Sequence, residues 1–194
     1  MKQPFFSFVI PTKDRPECVK ILLESIRQQN DTDYEVIVSD NASENDCKDV
    51  VDGMRDSRFL YYRNERTLGI CDSFEAAIGH ANGQWVMMYG DKNILYQNAL
   101  EKIRRILVKE NPEILNFGHD FLGPVNTDKS LVYGKLKKLK RSGRCHRVDT
   151  EKALTGHLSC RYLMAGTKPQ WHLGCIFSGG GIQKKLHRKN SEIA

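Results

Sequence analysis

The chain has 194 residues, 40% hydrophobic and 28% charged, a balance expected of one soluble globular domain with a core of its own. No apolar run reaches the roughly 18 residues of a membrane-spanning helix, and "MKQPFFSFVIPTKDRP" at the N-terminus lacks the small-residue cleavage site of a secretory signal. The formal charge of +6 is unevenly spread, because residues 1–128 carry 15 Lys+Arg against 21 Asp+Glu and residues 129–194 carry 15 against 3.

"FFSFVI" (Phe5 to Ile10) predicts a buried strand bounded by Pro11. Pro16 suits the first turn of a helix, and Val19, Leu22, Leu23 and Ile26 follow at the spacing of one helical face. "YEVIVSD" (Tyr34 to Asp40) predicts a second strand, "NASEND" a turn, and Cys47 to Met54 a short helix. "RFLYYR" (Arg58 to Arg63) is a third strand, and Phe74, Ala77, Ile78 and Ala81 mark a helix ending near Asn82-Gly83. "QWVMMY" (Gln84 to Tyr89) is a fourth strand. Leu100, Ile103 and Leu107 face inward from the next helix, and "EILNF" (Glu113 to Phe117) is a fifth strand. Strands alternating with helices over short connections predict an α/β domain with a mostly parallel sheet flanked by helices. This half, residues 1–118, is followed by a basic segment, residues 119–194, of the same domain.

Beyond Phe117 the periodicity degrades. Lys129 to Arg147 holds eight basic residues and no acidic one. It reads either as a solvated loop or as a patch for anionic lipid or a lipid-phosphate acceptor. Nucleic acid fits the charge, but no interleaved aromatics support it. Six cysteines include no C-x-x-C pair, so a disulfide framework is not expected and a reducing, cytoplasmic compartment is. The repeated H-L-x-C at His157–Cys160 and His172–Cys175 could hold zinc, or simply bury two small thiols.

Ligands of an open parallel sheet bind beyond the carboxyl ends of its strands. Three such ends are polar here: Pro11 to Arg15, Ser39 to Ser43, and Gly90 to Asn93. Asp14, Asp40 and Asp91 are therefore expected on one rim, although each could instead cap the helix that follows it. Neither G-x-G-x-x-G after the first strand nor G-x-x-x-x-G-K-[ST] occurs. "SGGGIQKK" has the wrong spacing for a phosphate loop and reads as a turn.

In order and spacing, "FSFVIPTKDRPECVKILLESI", "EVIVSDNASEND", "YYRNERTLGI" and "GQWVMMYGDKNILYQNALEKI" resemble family 2 glycosyltransferases of the GT-A fold. The resemblance spans about Phe5 to Ile106, with a weaker echo at "WHLGCIFS". It implies that Pro11, Thr12 and Asp14, with Asp40 and Asn41, hold the base and ribose of a nucleotide-sugar of the UDP or dTDP type. Asp40 is suited to accept the imide N–H of uracil or thymine. Asn64 and Gly69 match a segment ahead of the donor site.

"GDKN" occupies the position of the family's acidic motif, which binds ribose and a divalent cation, Mn²⁺ or Mg²⁺. The resemblance assigns Asp91 and Lys92 to the nucleotide-sugar and Asp91 and Asn93 to the metal. Only the first acid is present, so the cation is expected to be weakly held or dispensable, with Lys92 supplying part of its charge. His172 falls where relatives place a histidine near the acceptor, as an orienting group or base. The chain is short for the family, which implies C-terminal truncation.

The expected function is inverting transfer of a sugar to a saccharide or lipid-linked acceptor in surface polysaccharide or glycolipid assembly. It would take place in the cytoplasm or peripherally on the membrane. Two other readings stand beside it. One is a catalytically impaired nucleotide-sugar-binding remnant, and the other is a basic nucleic-acid- or membrane-binding α/β protein.

Overall fold

The computed structural model describes residues 3–112 in full and the backbone of residues 114–116, 121–124, 133–137 and 175–178. The elements run β1 (Phe6–Thr12), α1 (Pro16–Arg27), β2 (Tyr34–Asp40), α2 (Lys48–Asp52), β3 (Phe59–Arg63), α3 (Ile70–Gly79), β4 (Trp85–Met88) and α4 (Ala99–Glu110). Four strands follow: β5 (Ile114–Asn116), β6 (Phe121–Pro124), β7 (Tyr133–Lys137) and β8 (Cys175–Ser178). Two compact units result, Met1–Asn116 with Leu173–Ala194, and Phe117–His172. Among the described residues no helix is long and apolar enough to cross a membrane.

The first unit holds a six-stranded sheet in the order β3-β2-β1-β4-β8-β5. β1, β2, β3 and β4 are parallel, and β8 runs antiparallel to both β4 and β5. β8 thus joins this sheet although Cys175–Ser178 lies in the basic segment of the chain. In the second unit β6 and β7 pair antiparallel, and the sequence pattern assigns no element there.

The strands read as continuous apolar runs because both faces of the sheet are covered. On one face Val9, Ile37, Val86 and Met88 pack with Ala77 of α3, joined by Phe74, Ile78 and Ala81. Phe6, Phe8 and Ile10 alternate to the other face and are fully buried. On that side the Tyr34 hydroxyl donates to the Ile26 carbonyl of α1 at 3.4 Å. Val19, Leu22, Leu23 and Ile26 of α1, and Leu100, Ile103 and Leu107 of α4, are buried as their spacing predicts. Each such side chain contributes about 1.5–3 kcal/mol relative to exposure.

Two sequence expectations need correction. β1 does not stop before Pro11 but continues through it to Thr12. The missing N–H of Pro11 points to the β4 side of the strand, where pairing has already ended at Val9–Met88, so no ladder bond is lost. Nor does Asn82-Gly83 cap α3, which closes at Gly79 with His80 in a right-handed conformation. Gly83 is needed for close approach to β1. Its N–H donates to Ser7 Oγ at 2.7 Å, and an added Cβ would lie 2.5 Å from that oxygen and 2.7 Å from the Ser7 backbone nitrogen.

Candidate functional site

The strand order turns back on itself at β1, which has β2 on one side and β4 on the other. Such a switch point leaves a crevice beyond the carboxyl ends of the strands. Here Pro11 helps to open it. The last bond across β1 and β4 runs from Tyr89 N–H to the Val9 carbonyl at 2.9 Å, and Pro11 has no N–H to extend the ladder.

The chain then makes a tight turn at Gly90–Asn93, closed by Asn93 N–H to the Gly90 carbonyl at 3.0 Å. The turn sends its residues in opposite directions. Asp91 is 6% exposed, whereas Lys92 and Asn93 are exposed. Thr12 Oγ1, at the end of β1, donates to Asp91 Oδ2 at 3.0 Å. Arg15, on the loop leading into α1, sets Nη1 at 3.2 Å from Oδ2 and 3.4 Å from Oδ1 of the same carboxylate. Its side chain is 49% exposed. Asp91 therefore does not cap a helix; α4 begins only at Ala99.

One strand over, Thr12 is in register with Asp40, and Asn41 N–H donates to the Thr12 carbonyl at 2.8 Å. Asp40 is fully buried. Its Oδ1 accepts from Ser43 N–H at 2.8 Å and lies 3.8 Å from Arg63 Nη1. Its Oδ2 has no partner among the described residues. An unpaired buried carboxylate oxygen is costly, and such atoms mark places where a ligand donor would be accommodated.

Asp14 and Asn41, both expected to touch ligand, also brace the loops around the rim. Asp14 adopts a left-handed backbone, φ 53°, which turns its N–H to Ser43 Oγ at 2.8 Å. Its Oδ1 accepts from the backbone N–H groups of Glu44 at 2.7 Å and Asn45 at 3.1 Å. The carboxylate thus holds the loop after β2 and does not cap α1. Asn41 is locked to the loop after β3. Its Oδ1 accepts from Leu68 N–H at 2.9 Å and Asn64 Nδ2 at 3.0 Å, and its Nδ2 donates to the Leu68 carbonyl at 3.0 Å.

Asn64 N–H also donates to the Asp40 carbonyl at 2.8 Å, so Asn64 braces the rim through both backbone and side chain. Gly69 is the residue before α3, and a Cβ added there meets only Asp72 Oδ2, at 3.7 Å.

Pro11, Thr12, Asp14, Asp40, Asn41, Asn64 and Asp91 are brought into one connected rim, while Lys92 and Asn93 stand at its exposed edge. His172 and the other members of the H-L-x-C repeat lie outside the described residues, apart from the backbone of Cys175 in β8. Of the basic tract, only Tyr133–Lys137 of β7 is described.

Sequence reasoning missed Arg15, Ser43, Arg63 and Cys47. Arg15 could have been suspected from a basic side chain within the first strand-end loop. Cys47 is buried, and burial, reinforced by the Asp40 carboxylate and opposed by Thr12, pushes its thiol up to about 12.

Oxygen ligands for a divalent cation are scarce. Mn²⁺ and Mg²⁺ take hard oxygen donors, usually including one or two carboxylates. Asp91 already receives Thr12 and Arg15, and among the described residues no three His, Cys, Asp or Glu side chains cluster as a metal site.

Comparison with known proteins decides the family. Residues 7–168 match the profile described as Glycosyl transferase family 2. The chain belongs to that family. It is 33% identical over 106 residues to the abequosyltransferase RfbV of Salmonella typhimurium, a match covering 52% of this chain and 32% of that protein. It is 22% identical over 194 aligned positions to a PGL/p-HBAD biosynthesis glycosyltransferase of Mycobacterium bovis, covering 96% of this chain and 75% of that one.

Among solved structures, S. aureus TarS 1–349 in complex with UDP superposes with a TM-score of 0.64 at 15% identity, over 96% of this chain and 49% of that chain. A mannosyltransferase from Pyrobaculum calidifontis in complex with GDP-Man and Mn²⁺ gives 0.52 at 17%, over 59% and 35%. These likenesses support the GT-A fold. The chain spans about a third of the abequosyltransferase and about half of TarS 1–349.

Proposed function

We propose that this family 2 member is a glycosyltransferase that binds a nucleotide-sugar at the β1–β4 crevice and passes its sugar, with inversion, to a saccharide or lipid-linked acceptor. The observation that carries the reading is Asp40 Oδ2, buried without a hydrogen-bond partner among the described residues at the carboxyl end of β2. It is an acceptor whose desolvation a ring N–H would offset. A uracil or thymine imide supplies that donor, which favours a UDP- or dTDP-type sugar. The Arg63 guanidinium stands on the other oxygen, Nη1 3.8 Å from Oδ1, and is held there by the Ser43 carbonyl at 2.8 Å.

Thr12, one strand further along at the end of β1, and Asp91, beyond β4, suit the ribose. The diphosphate then falls beside Arg15 and Lys92. In the transfer the acceptor oxygen bonds the anomeric carbon as its bond to the diphosphate oxygen breaks. The nucleoside diphosphate departs with that electron pair, and the acceptor proton passes to a base, for which His172 is our candidate. Stabilising the departing charge is the main task of the protein. We place the activity in the cytoplasm, at or near the inner membrane face, in polysaccharide or glycolipid assembly.

The test is release of nucleoside diphosphate from UDP-, dTDP- and GDP-sugars, with and without saccharide or lipid-phosphate acceptors. Acceptor-dependent release supports transfer. Tight nucleotide binding with no release under any condition supports the impaired binding module instead. Salt-sensitive polyanion binding without nucleotide affinity defeats both.

A further inference from the structure

We propose that Arg15 contacts the donor diphosphate directly, with Lys92 adding to the positive charge of the turn, so that nucleotide binding by this chain does not depend on a divalent cation. The inference rests on the nucleotide-sugar reading above and concerns only how its charge is met.

Three observations carry it. The first is the state of Asp91. It is the only carboxylate in the Gly90–Asn93 turn, it is buried, and Thr12 Oγ1 and Arg15 Nη1 already engage it. A metal bound there would have to displace a guanidinium or share the carboxylate with one. Like charges at that distance repel strongly in a partly desolvated site.

The second is the orientation of Arg15. Among the described residues only Nη1 is engaged, and the side chain is half exposed. Guanidinium offers five N–H donors in a planar fork that matches phosphate oxygens two at a time. Asp91 therefore holds the fork by Nη1 and leaves Nε and Nη2 without a partner among the described residues. Thr12 in turn positions Asp91, so the arrangement is set before any ligand arrives.

The third is Lys92. It is exposed and makes no ion pair or hydrogen bond among the described residues, although it follows Asp91 directly in the turn. An uncommitted ammonium on the residue next to Asp91 raises the local positive potential, which attracts phosphate and disfavours Mn²⁺. Asn93, the remaining residue of the motif, offers one neutral oxygen.

The experiment is calorimetric titration of UDP, dTDP and GDP, and of uridine, thymidine and guanosine, in EDTA and then in Mn²⁺. The proteins are the unmodified chain, Arg15→Gln, Arg15→Lys, Lys92→Ala and the double variant Lys92→Asp/Asn93→Asp, each shown to be folded by circular dichroism. We expect a nucleoside diphosphate to bind the unmodified chain in EDTA with little gain from Mn²⁺.

Arg15→Gln should weaken diphosphate binding by about ten- to a hundredfold, the worth of a charged hydrogen-bonding contact, and leave the nucleoside unaffected. Arg15→Lys should be intermediate, Lys92→Ala milder, and the double acid variant newly dependent on Mn²⁺. Binding that vanishes in EDTA and returns with Mn²⁺ in the unmodified chain overturns the inference while leaving the nucleotide reading intact. So does an Arg15→Gln variant that loses nucleoside and diphosphate equally, because Arg15 would then only hold the turn. No binding of any nucleotide, with or without Mn²⁺, overturns both.

Discussion

Ser43 donates its backbone N–H to Asp40 Oδ1 at 2.8 Å, while the second oxygen of the same buried carboxylate meets no donor among the described residues. The pair divides Asp40 into a structural half and a free half. Asp40→Asn preserves the first, since an amide oxygen still accepts from Ser43, and turns the second into a donor. The variant also gives up the Arg63 ion pair at 3.8 Å, so its stability should stay within about 1 kcal/mol of the parent.

It should nonetheless lose the thermal stabilisation by UDP or dTDP, which for the parent is about 2.7 kcal/mol at a hundredfold excess over Kd. Asp40→Ala should lose it too, together with the Ser43 bond. Thermal melts with and without nucleotide check both. An undiminished shift in Asp40→Asn would remove the base from this position.

Gly83 tests the packing beneath the site. An alanine Cβ there would stand 2.5 Å from Ser7 Oγ, 2.7 Å from Ser7 N and 2.8 Å from the Phe6 carbonyl carbon. Two of those atoms are backbone of a central strand and cannot step aside cheaply. Gly83→Ala should cost about 1–3 kcal/mol, the range of overpacking substitutions, as measured by urea unfolding. Gly69→Ala, whose Cβ meets nothing closer than 3.7 Å, should cost far less. Equal losses in the two variants would contradict this account.

Thiol chemistry separates two cysteines. Cys71 in α3 is exposed, whereas Cys47 is buried, with its thiol pushed up to about 12 by burial and then by the Asp40 carboxylate. The thiolate is the reactive form, so at about pH 8 Cys47 is protected twice, by access and by protonation. Iodoacetamide followed by peptide mapping should label Cys71 and spare Cys47 until denaturant is added. Comparable labelling of both in the folded protein would show that the floor of the crevice opens.

The basic tract bears on where the protein works. Replacing Lys137, Lys138, Lys140 and Arg141 with Gln should weaken binding to anionic vesicles, each charge near the surface being worth about 1 kcal/mol. Nucleotide binding should be unchanged. Raising salt should reproduce the loss, because the Debye length is already only about 8 Å at physiological ionic strength. If the quadruple variant binds vesicles as the parent does, the tract is an ordinary solvated surface.

What the sequence determined by itself was local and periodic. Alternating apolar runs and i, i+3, i+4 stripes set the order of strands and helices, and the inward faces of α1 and α4, because backbone geometry alone spaces side chains along an element. The strand-end motifs also placed the rim, since strand ends are marked by where apolar runs stop, and their resemblance to known sequences pointed to the family. The β6–β7 hairpin left no such mark.

Tertiary structure decided what each rim residue does. Thr12 and Asp91 meet across 79 positions of chain, Arg15 and Asp91 across 76, and Asp14 reaches Glu44 across 30. No local pattern says that Asp14 braces a loop while Asp91 holds a guanidinium, or that Asp91 turns inward as Lys92 turns out. Those outcomes depend on which distant strand end lies nearby, and that is set by the strand order of the folded sheet.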